Sequence, residues 1–209
     1  MKVVISQQNR KSNQAFTLIE MIGVLAVIAI LASMLIPKIF EAINSSRVNN
    51  AAVSYNTMKT AVMDHYGKYG SITSSNGVVF TANQLTNYDR LVLLPEALVD
   101  KPFAVKIGDG STNTVVRVRP MVAAATPDGI TTNYDLDGDG NSDTGGSGFV
   151  VEAVIPNVAV ADAVELSHRL DGIALSQPTG SANADITGRV IYAAPNNGLV
   201  EVHIYIAHR

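Results

Sequence analysis

Residues 16–36 read FTLIEMIGVLAVIAILASMLI, and their one ionisable side chain is Glu20. As a helix rising ~1.5 Å per residue, such a stretch spans roughly 30 Å, the thickness of a hydrocarbon core. Residues 1–15 carry Lys2, Arg10 and Lys11 and no acid. The positive-inside rule keeps that end in the cytoplasm, so the rest of the chain faces outward.

A carboxylate inside an apolar segment is expensive and marks a function by default. Its natural partner is the positive end of a helix. A cut between Ala15 and Phe16 would place a new α-amine and the helix dipole within the first turn of Glu20. At the far end, Pro37 removes one backbone donor and frees the carbonyl of Ser33, which predicts a kink or loosening there.

In this register Ala15, Phe16, Thr17, Leu18, Ile19, Glu20 and Pro37 resemble the start of the type IV pilin and pseudopilin superfamily. That superfamily has a basic leader, a Phe-Thr-Leu-Ile-Glu start, an apolar helix and a proline about twenty residues in. It usually has Gly where this chain has Ala15, and the likeness covers about the first fifth of the sequence. The resemblance implies that a membrane prepilin peptidase cuts before Phe16 and methylates its amine. It also implies that Glu20 pairs with the Phe16 amine of a neighbouring subunit in a filament. Two plainer accounts fit less well. A secretory signal would place its apolar core before the cleavage site, and no Ala-x-Ala site closes this run. An uncleaved signal anchor explains the apolar run and the basic flank but not Glu20.

With 209 residues, 47% of them hydrophobic, the chain is long enough for one compact head beyond the membrane segment. The formal charge is −3 overall; from Phe16 onward twelve bases face eighteen acids, a balance of −6. That balance argues against a polyanion-binding surface, so no nucleic-acid partner is expected. There is no cysteine, so loops of an exported head must be held by something other than disulfides.

From Lys38 to about Tyr66, Val48, Ala51, Tyr55, Met58, Val62 and Tyr66 recur at spacings of three and four, opposite Asn49, Asn50, Asn56, Lys59 and Asp64. Continued from the membrane segment, this predicts a helix of around 50 residues whose second half lies on a sheet, ended by Gly67 and Gly70. Residues 71–101 read as a connecting loop with a turn at Ser74 to Gly77 and a short helix or two. Beyond Pro102 the period changes to two. Val116 and Val118 alternate with Arg117 and Arg119, ending at Pro120; Phe149, Val151, Ala153 and Ile155 share a face. At the C-terminus Val200, Val202, Ile204 and Ile206 point inward, with Glu201, His203 and Tyr205 outward. This last strand pairs with 189–193 across Pro195, Asn196, Asn197 and Gly198. A second helix is expected over 158–169, with Ala159, Ala163, Leu166 and Leu170 inward and Glu165 four residues before Arg169. The fold class is therefore α+β, a long N-terminal transmembrane and amphipathic helix packed on an antiparallel sheet with one buried face. Its expected divisions are a leader, 1–15, a helix, 16–68, and a pilin-like head, 69–209.

The strongest local motif is DLDGDGNSD, in which Asp135, Asp137, Asp139, Asn141 and Asp143 offer oxygens at alternate positions and Gly140 permits the sharp turn. The bidentate Glu of an EF-hand is missing at the twelfth position, Gly146, and the loop resembles the shorter calcium loops of integrin-type repeats. Four carboxylates in nine residues repel without a cation, which favours structural Ca2+ over a solvated acidic turn. His203 and His208, five apart on one strand, are expected on opposite faces; Ser167 and His168 do not face each other on a helix. No nucleophile–base pair, phosphate loop or zinc spacing is present, so an enzyme is not expected.

The sequence thus points to a structural pilin or pseudopilin subunit held in the bacterial inner membrane with its head in the periplasm before assembly. Its partners would be copies of itself or other pilin-like subunits and the prepilin peptidase. The competing reading is a monomeric, membrane-tethered calcium-binding receptor or adhesion module.

Overall fold

The computed structural model describes residues 16–109, 113–123, 127–176 and 183–209. The leader, with Ala15, lies outside the described residues. The chain forms two compact units, one ending at Ala42 and the other Ile43–Arg209.

Helix α1, Leu18–Tyr69, runs for 52 residues. Its sequence favours this, being rich in Ala, Leu, Ile and Met, with a threonine cap at its start. Pro37 has no N–H for the Ser33 carbonyl, yet the helix continues across it. The helix ends one residue before Gly70, whose φ of +67° suits glycine and whose N–H bonds to the Tyr66 carbonyl at 2.7 Å. Gly67, expected as a terminator, lies inside the helix.

In the first unit every described residue of 16–36 is exposed except Ala32, which is half-buried. This is the one helix among the described residues that is long and apolar enough to cross a membrane.

In the second unit the expected stripe is buried: Val48, Ala51, Tyr55, Met58 and Val62, with Tyr66 partly covered. Ala52, Ala61 and His65 widen it. The stripe packs into the main core, and the Tyr55 hydroxyl donates to the Tyr205 carbonyl at 2.7 Å. The connecting segment holds a small hairpin, β1 Ser74–Ser75 and β2 Val78–Val79, then helix α2 Ala82–Thr86. Asn76 and Gly77, both at positive φ, close the hairpin. Asp89–Leu93 form one π-helical turn.

Strands β3 Val115–Pro120, β4 Phe149–Ala159, β5 Val190–Ile191 and β6 Leu199–His208 form one antiparallel sheet in the order β3-β4-β6-β5. The C-terminal hairpin is as expected, with Asn197 and Gly198 at positive φ in its turn. At the outer edge of β3, the buried Asp89 carboxylate accepts the N–H groups of Phe103 at 2.9 Å and Val116 at 3.2 Å.

Three further expectations need correction. First, the second helix, α3 Val160–Leu170, begins two residues late, because β4 continues through Val158 and Ala159, paired with Val200 and Leu199. A register shift between Ile155 and Val158 absorbs Pro156 and Asn157, so Pro156 does not end the strand. Ala159 is consequently exposed, while Ala163, Leu166 and Ser167 are the buried residues of α3. Second, the sheet is not buried on one face only. Tyr134 covers the other side with Val150 and Ile191, so β4 is buried at every position from Val150 to Ile155. Third, His203 does not face water: it is 3% exposed, beside the wholly buried Glu152. A further register shift, between Val151 and Glu152, also lets His208 reach the Tyr205 hydroxyl at 2.7 Å, so simple alternation does not put the two histidines on opposite faces. The Glu165–Arg169 ion pair forms at 2.6 Å, and Arg169 also reaches Ser45 and Asn49 of α1.

Candidate functional site

At the start of α1, Thr17 caps the helix. Its hydroxyl oxygen accepts the Glu20 N–H at 3.3 Å, and the Glu20 carboxylate accepts both the Thr17 N–H and the Thr17 hydroxyl proton at 2.8 Å. This is a capping box, in which two orphan groups of the first turn satisfy each other. The carboxylate so oriented lies one turn from Phe16, beside a shallow apolar depression formed by Phe16, Gly23, Val24, Val27 and Ile28. Thr17 was missed as a functional residue, although the spacing T-x-x-E announces the box. Pro37 is placed farther along the same exposed apolar segment.

The acidic stretch forms a loop whose ends are tied together. Thr144 accepts the Tyr134 N–H at 2.8 Å and donates to the Thr132 carbonyl, while the Asp143 N–H donates to the Tyr134 carbonyl at 2.8 Å. The buried Asp135 carboxylate accepts three amides, Gly138 at 2.7 Å, Asp139 at 3.1 Å and Gly140 at 2.9 Å. Gly138 and Gly140, at φ +83° and +88°, give the backbone the reversals that aim those amides inward. The Asp143 carboxylate accepts the Leu136 N–H at 2.7 Å.

This arrangement brings carboxylate oxygens of Asp135, Asp137 and Asp143 within 4.8 Å of one another. Asp139 is not in that triad. The Asp139 carboxylate instead accepts the Asn141 N–H at 2.8 Å, and the backbone and side chain of Asn141 hold its pKa below the usual carboxylate value. An all-oxygen donor set of this kind suits a hard cation rather than zinc or copper.

Behind the loop lies a buried charge cluster. The Tyr134 hydroxyl donates to Glu152 Oε2 at 2.7 Å; Arg117 and Arg119 reach Glu152 Oε1 at 2.7 and 3.2 Å. His203 Nδ1 lies 3.4 Å from Glu152 Oε2, and its Nε2 lies 3.3 Å from Glu201. Burial alone would raise the Glu152 pKa, but His203, Arg117 and the Tyr134 hydroxyl outweigh it and bring it down to about 2. Burial likewise pushes His203 down, and its contacts with Glu152 and Glu201 reverse the sign, so its pKa is raised. An Arg117 N–H also points at His203 Nδ1, at 3.4 Å. A protonated Nδ1 cannot accept it, so in the charged form this nitrogen donates to Glu152. A strand read by alternation gave no sign of this cluster.

Compared with known proteins, residues 10–36 match the prokaryotic N-terminal methylation motif, the type IV pilin and pseudopilin signature. No curated protein and no solved structure matches the chain.

Proposed function

We propose that the chain is a structural subunit of a helical extracytoplasmic filament, a type IV pilus or a type II secretion pseudopilus. The observation that carries the reading is the methylation motif on an apolar helix exposed along almost its whole length in the first unit. In the membrane, lipid covers that surface. On assembly, copies of the same helix take lipid's place, a head-to-tail contact that does not close and therefore builds fibres. Prepilin peptidase removes residues 1–15 after Ala15, and the freed Phe16 amine becomes the cationic partner of Glu20 on a neighbouring subunit. The capping box keeps the carboxylate hydrogen-bonded until then.

Replacing Glu20 by Ala tests this. The variant is expected to insert into the membrane and be processed to the same mature N-terminus as wild type, yet to yield no filaments by electron microscopy. Normal filaments would refute the role of Glu20. The tethered-module reading is favoured by one feature, the acid triad, and mass spectrometry separates the two: a methylated Phe16 terminus supports the filament, an intact leader the tether.

The acidic loop is proposed to hold a structural Ca2+ through Asp135, Asp137 and Asp143. The hard oxygen set and the tied loop support this, with main-chain carbonyls or water completing the shell. Asp139 would shape the loop, and the side-chain carbonyl of Asn141 would offer a further oxygen. The cation would stand in for the disulfides that a chain without cysteine cannot form.

A further inference from the structure

We infer that His203 and the two carboxylates flanking it form a proton-operated clasp that fastens the 130–144 loop to the outer face of the sheet in mild acid and loosens it as the pH rises. The clasp is built on geometry. Glu152 on β4 is wholly buried and is the point where β3, β4, β6 and the loop meet. It takes Arg117 and Arg119 from β3, Tyr134 from the loop and His203 from β6. Arg119 also donates to the Ile130 carbonyl at 3.3 Å, a second tie from this cluster to the loop.

The remaining ionisable neighbours are on β6 and in the loop. Glu201 is half exposed at Nε2 of His203, and Tyr205 packs its ring on Tyr134 at 5.4 Å, holds His208 and faces the charge of Asp143. Protonated, His203 donates one N–H to each carboxylate and leaves neither nitrogen unused. Neutral with its proton on Nε2, it keeps the Glu201 contact and its Nδ1 can accept the Arg117 N–H, so what is lost is the attraction to the buried Glu152 carboxylate, which then faces a lone pair. Lifting the loop would take the Tyr134 hydroxyl off Glu152 and admit water to that carboxylate, weakening its contact with His203 and returning the imidazole toward its ordinary pKa. Because the closed arrangement holds the proton more tightly than the open one, proton uptake favours closure. The stabilisation is complete below the ordinary histidine pKa and is lost as pH rises through the raised value.

The test uses the full chain in detergent micelles without added cation. Amide hydrogen exchange across 130–144, corrected for the intrinsic pH dependence of exchange, is followed from pH 5.5 to 8.5, with the His203 ring titrated by NMR. Protection of the loop is expected to fall severalfold through the His203 titration, while amides of Ile204 on β6 hold. His203→Gln, which keeps a hydrogen-bonding side chain but no titration, is expected to abolish the pH response. Glu201→Gln, at the solvent edge, is expected to move the midpoint to lower pH with the fold intact. Loop protection that does not change with pH in wild type would overturn the inference, as would an undiminished response in His203→Gln.

Discussion

Replacing Asp185 by Asn is expected to stabilise the head at neutral pH. Asp185 is 0% exposed. Burial pushes its pKa up to about 6 from an ordinary 3.8, with the Asp171 carboxylate adding to the rise and the Ser167 hydroxyl and Thr187 opposing it. A folded-state pKa above the unfolded one means full stability below the ordinary value and a loss as pH rises through about 6. A shift of about two units corresponds to about 3 kcal/mol at most, since each unit is ~1.4 kcal/mol. In a chain of this length that is about 6–12 °C in Tm. Asn preserves the contacts: Oδ1 accepts the Thr187 N–H, and the amide donates to Ser167 Oγ, whose hydroxyl turns from donor to acceptor. The measurement is thermal unfolding of wild type and Asp185→Asn, full chain in micelles, at unit steps from pH 4 to 8. The difference in Tm is expected to be smallest at pH 4, to grow up to about pH 6 and to level off above it. A flat difference, or a variant less stable at pH 8, would refute the reasoning.

At Gly129, φ is +74° and a Cβ would lie 2.5–2.6 Å from the backbone of Tyr192 and Ala193. Gly129→Ala is expected to lose more than the ~1–2 kcal/mol of left-handed strain alone, read by denaturant unfolding. If the acidic loop holds calcium, free ion a hundredfold above Kd adds about 2.7 kcal/mol to folding. The melting temperature then rises with calcium and falls with chelator, and Asp137→Asn removes most of the response. Melting indifferent to both calcium and chelator would leave the loop an acidic turn without an ion.

Much of the architecture was legible because it rests on apolar periodicity. The stripe from Val48 to Val62 and the inward run Val200, Val202, Ile204 and Ile206 are both buried as the spacing dictates. What escaped was polar. Glu152, His203 and Arg117 satisfy one another across three strands, and no single strand carries that information. His65 is buried on α1 because Glu96, 31 residues away, meets its Nδ1 at 2.7 Å. The continuation of β4 past Pro156 was hidden because a register shift is a property of two strands rather than one. Thr17 was visible in the T-x-x-E spacing, but Glu20 was read against the helix end, the α-amine and a neighbouring subunit rather than as half of a capping box.

The Asp89 carboxylate at the rim of the sheet has a bearing on how the molecule avoids disorderly association. An open strand edge recruits other chains, and β3 is such an edge. Asp89 occupies the Val116 donor from within, and Pro120 at the end of the strand has no donor to give. A chain we propose to polymerise through its helix thus carries, on this edge of its sheet, two features that disfavour pairing with another strand.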